Sequence, residues 1–194
     1  MREMISMVVV LTVLTAVSGG LLAAVKSGTQ ERIEAQIFKF QLAPAMEQIF
    51  GEVQNDPAKD KFEIQADGVV YKFFPAKLQD GSTAVAFETK GKGGYGGDIG
   101  LMVGVNLDSD KIVAARVTTH AETPGLGSRA KDDPAFVSQF EEKTPDDSLA
   151  LKADGGPIDA LSGATVTSRA ITFAAIEAQK VYKKLKPEIL KQAK

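Results

Sequence analysis

The hydrophobic pattern of the chain begins with an uninterrupted apolar stretch, Ile5–Val25, that carries no charged residue. As a helix it would span roughly 30 Å, the thickness of the hydrocarbon core of a bilayer. Three interpretations are open: a retained membrane anchor, a cleaved secretory signal with Met7–Val17 as its apolar core, or a buried core helix. The few charges at its ends, Arg2 with Glu3 and then Lys26, do not set an orientation by the positive-inside rule.

A helical period follows the apolar stretch. Apolar residues at helical spacing predict a helix over Thr29–Gln41. Pro44 suits the first turn of a second, short helix over residues 45–53. These residues predict a membrane anchor over 1–27 and a helical connector over 28–60.

The middle of the chain changes to short apolar runs separated by turn residues. Because polar turns join consecutive runs, the pattern predicts an antiparallel meander rather than βαβ units. The glycine-rich segment Lys90–Gly97 is predicted to be one of the turns. The five predicted strands are Lys61–Ile64, Val69–Pro75, Thr83–Glu88, Ile99–Asn106 and Ile112–Thr119.

The last third of the chain returns to helical periodicity. A short helix is predicted over Pro134–Glu142, and an acidic loop over Pro145–Gly156. A continuous apolar stripe then predicts a long helix over Ala170–Leu185, which Pro187 kinks or ends. The whole pattern predicts an α+β domain over residues 61–194, with an antiparallel sheet and flanking helices.

The composition narrows the chemistry. A net charge of −2 and a pI near 5.5 argue against a nucleic-acid partner, which needs a basic face. The absence of cysteine excludes disulfides, iron–sulfur clusters, thiolate zinc sites and cysteine nucleophiles. With one histidine in the chain, a metal site built from several histidines is excluded as well.

Three glycine-rich or turn-like segments stand out, Gly91–Gly97, Pro124–Gly127 and Asp159–Thr165, and none of them fits a nucleotide-binding loop. Gly91–Gly97 lacks the lysine-serine ending of a P-loop and leads into a strand, so it is not one. Asp159–Thr165 (DALSGAT) has small residues directly before the last helix, where free N–H groups favour an anion such as phosphate. The alternative is that Thr165, Thr167 or Ser168 only caps that helix.

A serine hydrolase is disfavoured. Ser162 lies in no G-x-S-x-G or S-x-x-K motif, and only His120 would be available as its base. For His120 itself three interpretations are open: a residue at a strand end whose hydrogen bonds are satisfied within the protein, a flavin or substrate contact, or a metal ligand.

Three motifs occur in a fixed order: GYGGDIGLMVGV at 94–105, HAETPGLGSRA at 120–130, and GGPIDALSGATVTSRAI at 155–171. In this combination they resemble the FMN-binding domain family. Within it, the chain is most similar to the G subunits of Rnf-type electron-transport complexes. The C subunits of the sodium-pumping NADH:quinone oxidoreductases are related and longer.

The resemblance implies that a separate flavin transferase joins FMN to Thr165 through a phosphoester. Thr167 is the nearest other hydroxyl, but it lies outside the family's D-x-x-[ST]-G-A-T motif. The implied motif residues here, besides Thr165, are Asp159, Ser162, Gly163 and Ala164.

The resemblance also implies a flavin contact for the Glu-Thr-Pro-Gly-Leu-Gly loop. Leu126 would cover one face of the ring, and Thr123 or backbone groups would bond to its edge. Tyr95 would form another wall or serve in ordinary packing. The remaining implied flavin-binding residues are His120, Glu122, Gly125 and Gly127.

The resulting functional expectation is an electron-transfer subunit of an ion-pumping complex that passes electrons between ferredoxin and NAD. Its partners would be other membrane subunits, and it would carry out no substrate chemistry alone. We expect a single pass through the plasma (inner) membrane, with the N-terminus in the cytoplasm and the flavin domain outside. The alternatives are a stand-alone flavinylated electron carrier for an extracytoplasmic reductase, and a non-redox anchored binding domain.

Overall fold

A computed structural model describes residues 1–193 of the 194. Contacts divide the chain into two units, Met1–Phe40 and Gln41 onward. The first unit is helical, and the second is built on a five-stranded sheet.

The N-terminal apolar stretch lies in helix α1, Arg2–Ile37, none of whose residues is buried. Its 36 residues correspond to about 54 Å of helix. By length and composition it is sufficient to cross a membrane. Thr12 and Thr15 donate their hydroxyls to carbonyls one turn earlier, at 2.8 and 2.9 Å, so these polar groups are satisfied within the apolar stretch.

The helical structure predicted over Thr29–Gln41 is confirmed, but it is not separate from the apolar helix. Helix α1 continues through Gly28 to Ile37, and a π-helix, Phe38–Leu42, follows. The glycine interrupts the hydrophobic pattern, but it is tolerated inside a helix and does not end it. The short helix opened by Pro44 is confirmed as α2, Ala43–Phe50.

The sheet confirms the predicted meander. Every strand is antiparallel to its neighbours, and the spatial order is the chain order. The α+β class with flanking helices is therefore confirmed. The strands are β1 Phe62–Ala66, β2 Val69–Lys77, β3 Thr83–Gly94, β4 Gly97–Asn106 and β5 Ile112–Val117.

Both faces of the sheet are covered. On one face Phe73, Phe87 and Leu101 join the main hydrophobic core with helix α5, Thr165–Gln192. On the other face Gly104 leaves room for Ile49 of α2, since a Cβ at this glycine would lie 2.3 Å from Ile49 Cγ2. Strand alternation places these two sets on opposite sides.

The glycine-rich turn predicted over Lys90–Gly97 is wrong in its extent. Strand β3 continues to Gly94, with an irregular register between Gly91 and Gly94, and only Tyr95 and Gly96 form the turn. Glycine is poor in strands by propensity. Here the missing side chain at Gly91 has a use, because a Cβ there would lie 1.8 Å from the Ala170 carbonyl oxygen of α5.

The last helix is longer than predicted at both ends. Helix α5 begins at Thr165 rather than Ala170 and continues through Pro187 to Gln192. The predicted helix over Pro134–Glu142 is reduced to α4, Pro134–Val137, and one 3₁₀ turn; the very short helix α3, Arg129–Asp132, precedes it. Residues 145–156 form a loop, as expected, with a 3₁₀ turn at Lys152–Asp154.

Candidate functional site

The S-G-A-T segment forms a turn that leads directly into α5. Gly163 has a φ of 79°, a left-handed backbone conformation that favours glycine. The first backbone bond of the helix runs from Ser168 N to Ala164 O at 2.9 Å, and no side chain caps the helix. The alternative, in which Thr165, Thr167 or Ser168 only caps α5, is therefore wrong. The first N–H groups of α5 lack intrahelical partners and can bind an anion.

The side chain of Ser168 stabilises this turn from the buried side. Its fully buried hydroxyl accepts from Leu161 N and donates to Ala164 O, each at 2.9 Å. Both bonds join Ser168 to residues of the turn that precedes α5. The protein's own hydrogen bonds therefore fix the conformation of this turn.

The two candidate threonines have opposite environments. Thr165, the first residue of α5, is exposed. Thr167 is 2% exposed, and its hydroxyl donates to Glu122 Oε2. Only Thr165 presents a hydroxyl to solvent at the start of this helix.

Glu122 connects three segments. It is 6% exposed, and its Oε1 accepts from Gly96 N in the β3–β4 turn at 2.9 Å. Its Oε2 accepts from Thr167 of α5. One carboxylate therefore joins the β3–β4 turn, the Glu-Thr-Pro-Gly-Leu-Gly loop and the first turn of α5. We call this the Glu122 clamp.

Glycines make room for the Glu122 clamp. A Cβ at Gly127 would lie 2.6 Å from Glu122 Oε2, and one at Gly94 would lie 2.8 Å from Oε1. A Cβ at Gly96 would lie 1.9 Å from the Ala121 carbonyl oxygen. These three glycines are therefore needed for close packing within the protein.

The loop after Glu122 presents Leu126 beside the S-G-A-T turn. Thr123 O accepts from Leu126 N and Ser128 N, each at 3.2 Å, so the loop is a compact turn. Leu126 is 49% exposed, and its Cδ2 lies 3.7 Å from the position of a Cβ at Gly163. With Val166, 46% exposed, it provides an apolar surface next to Thr165.

Of the other predicted site residues, Tyr95 lies at the tip of the β3–β4 turn and is 79% exposed. His120 is half-buried, and its Nδ1 accepts from Glu122 N at 3.3 Å. Within residues 1–193 no group of three or more metal-binding side chains comes together. Asp159 is exposed and accepts from Lys152 Nζ at 2.7 Å.

Sequence reasoning did not identify Arg169, four residues after Thr165 on α5 and hence on the same side of the helix. Its guanidinium donates to both carboxylate oxygens of Asp154, from Nε at 2.8 Å and Nη2 at 3.0 Å. The hydrogen bond and charge of Arg169 hold the pKa of Asp154 below its usual range. The sequence does contain a signal for Arg169, because it places a cationic residue one helical turn after the proposed phosphate site at Thr165.

Comparisons with known proteins identify the family of this chain. A family model described as an FMN-binding domain matches residues 94–180. The G subunit of the ion-translocating oxidoreductase complex of Erwinia tasmaniensis is 32% identical over 178 residues, covering 86% of this chain and 83% of the relative. The chain belongs to this family, the G subunits of ion-translocating oxidoreductase complexes.

Solved structures share the fold. Shewanella oneidensis NqrC matches with a TM-score of 0.52 at 23% identity, covering 71% of each chain. The C subunit of the Na⁺-translocating NADH-quinone reductase from Parabacteroides distasonis matches with a TM-score of 0.50 at 21% identity, covering 66% of this chain and 74% of the other.

Proposed function

We propose that the protein is an electron-transfer flavoprotein subunit of an Rnf-type, ion-translocating ferredoxin:NAD oxidoreductase complex, with FMN joined to Thr165 by a phosphoester. Family membership and the FMN-binding domain support the general role. The observation that carries the attachment site is the contrast between an exposed Thr165 and a buried, bonded Thr167.

The residues around Thr165 suit the two halves of FMN. The uncapped start of α5 supplies N–H donors and a favourable helix dipole for the phosphate. Leu126 and Val166 supply apolar surface for a planar ring. When bound, the flavin would supply the redox chemistry, while the protein supplies position and electrostatics.

Attachment replaces the Oγ–H bond of Thr165 with an Oγ–P bond. A separate flavin transferase would remove the hydroxyl proton and present the flavin as a phosphoanhydride nucleotide. The anhydride bond breaks as the ester forms, and the second nucleotide leaves with the bridging oxygen. The open approach to Thr165 suits an acceptor that must enter the active site of another enzyme.

The membrane part of the proposal rests on α1. Ile5–Val25 would be a retained single span of the plasma (inner) membrane, with the N-terminus in the cytoplasm and the flavin domain outside. Other membrane subunits of the complex would be the partners. Co-purification of several multi-span proteins is the expected result; a flavinylated chain that purifies alone from its native membrane would favour the stand-alone carrier.

The attachment is tested by co-expressing the full chain with a flavin transferase and measuring intact mass and in-gel flavin fluorescence. The wild type should carry one FMN, located by peptide mapping at Thr165. Thr165→Ala should lose it, whereas Thr165→Ser, which keeps a hydroxyl, should retain part of it. Covalent flavin on Thr165→Ala, or none on the wild type, would refute the attachment.

A further inference from the structure

We propose that the buried carboxylate of Glu122 is a fixed negative charge that lowers the reduction potential of the flavin. This inference rests on the proposed function. It assigns to Glu122 a positioning and electrostatic role, and no direct contact with the cofactor is required.

The first observation is that the carboxylate of Glu122 is buried and forms no ion pair within the described residues. Glu122 is 6% exposed, and within residues 1–193 no lysine, arginine or histidine nitrogen forms an ion pair with it. Its two oxygens accept from neutral donors, Gly96 N–H and the Thr167 hydroxyl. Neutral donors stabilise a carboxylate but leave its net charge in place.

The second observation is the position of Glu122 relative to the proposed attachment site at Thr165. Glu122 bonds to Thr167, two residues from Thr165, and lies four residues before Leu126, which flanks the S-G-A-T turn. The Glu122 clamp is therefore enclosed by the same segments that surround the attachment threonine. Because the carboxylate of Glu122 is itself buried, its charge is screened less than a charge at the surface.

The expected effect has a definite sign. Reduction adds an electron, and a nearby fixed negative charge opposes the addition of further negative charge. For flavin atoms within ~10 Å at an effective dielectric constant of ~20, Coulomb's law gives a change on the order of tenfold in the ratio of reduced to oxidised flavin at a set potential. Removing the charge should make the midpoint potential more positive.

Glu122→Gln isolates the charge from the geometry. The amide oxygen can accept from Gly96 N–H, and the amide NH₂ can donate to the Thr167 hydroxyl oxygen, so both bonds of the clamp have counterparts. Thr167→Val makes the complementary change, because it removes one donor and keeps the charge.

Glu88→Gln is the matched control. Glu88 is also a partly buried carboxylate that accepts from a threonine hydroxyl, that of Thr118. By strand alternation it lies on the sheet face opposite to α5. Its removal changes the net charge by the same amount, on the face of the sheet that α5 does not cover.

The experiment is redox titration of the flavinylated full chain, with thermal unfolding measured on each variant. E122Q should fold, carry flavin and show a midpoint potential more positive than that of the wild type. E88Q should match the wild type, and Thr167→Val should leave the potential unchanged or make it more negative.

Three outcomes of the redox titration would overturn the inference: an unchanged potential in E122Q, an equal positive shift in E88Q, or a positive shift in Thr167→Val. The last would mean that loosening the clamp, rather than removing its charge, changes the potential. Failure of E122Q to fold would also overturn it, since the amide offers both partners a bond. A wild type without covalent flavin would instead refute the proposed function, before any potential is measured.

Discussion

Replacing Gly127 with alanine tests whether the Glu122 clamp holds the site together. The new Cβ would lie 2.6 Å from Glu122 Oε2 and 2.7 Å from Thr167 Oγ1, against both atoms of their hydrogen bond. Both side chains are buried, so neither can move into solvent. The substitution must therefore displace the carboxylate and the hydroxyl from their present positions, which weakens the bond between them.

The magnitude has two parts. A buried acceptor that loses its donor costs about 1–3 kcal/mol, and displacing packed side chains costs about 1–3 kcal/mol more. For a unit of this size, each kcal/mol lowers Tm by roughly 2–4 °C. We expect Gly127→Ala to lower Tm by about 5–20 °C.

Gly125→Ala is the control in the same loop. Nothing lies within 4 Å of its Cβ position, but its φ of 73° makes alanine strained by about 1–2 kcal/mol. The assay is thermal unfolding of the detergent-solubilised full chain by circular dichroism. If Gly127→Ala loses no more stability than Gly125→Ala, the clamp does not constrain the fold as described.

Two further predictions concern titrating groups. Burial, with a 2.6 Å hydrogen bond to Asp110, raises the pKa of Tyr182. The neutral phenol stabilises the folded protein below the ordinary tyrosine pKa of ~10, and this stability is lost as the pH rises above that value. Tyr182→Phe should therefore make the fall of Tm at alkaline pH less steep. An unaltered slope would contradict this. Arg169→Gln should raise the pKa of Asp154 toward its ordinary value, as measured by NMR titration. The ion pair stabilises the folded protein above the ordinary aspartate pKa of ~3.9 and loses this effect in acid, so the variant should lack that stabilisation. A carboxyl that titrates identically in both proteins would show that the pair does not persist in solution.

Much of the fold follows from local pattern. The strands and α2 are bounded by proline, glycine, asparagine and aspartate, whose backbone preferences act within a few residues. The errors occur where distant contacts override propensity. The glycine-rich end of β3 is a strand because α5 packs against Gly91, and Thr89 donates its hydroxyl to Ala174 O at 2.9 Å.

The candidate site was predictable only in part. The position of Thr165 at a helix start follows from the small residues before it, and the structure places it there. The burial of Glu122 was not predicted, because a charged residue in a polar loop is ordinarily exposed. Its three surrounding glycines, Gly94, Gly96 and Gly127, acquire their common explanation only when the loop and the turn are brought together.

The position of α5 after all five strands has a consequence for the order of events during synthesis. The five strands precede it, and each pairs with its neighbour in sequence, so the sheet can form hairpin by hairpin as the chain emerges. The face that α5 covers stays open to solvent until the final 28-residue helix is available. Thr165 is the first residue of that helix, so a chain interrupted before it lacks both the cover of its core and the proposed flavin acceptor. Under the proposed attachment, a flavin on this protein would mark a chain whose synthesis has passed the start of α5.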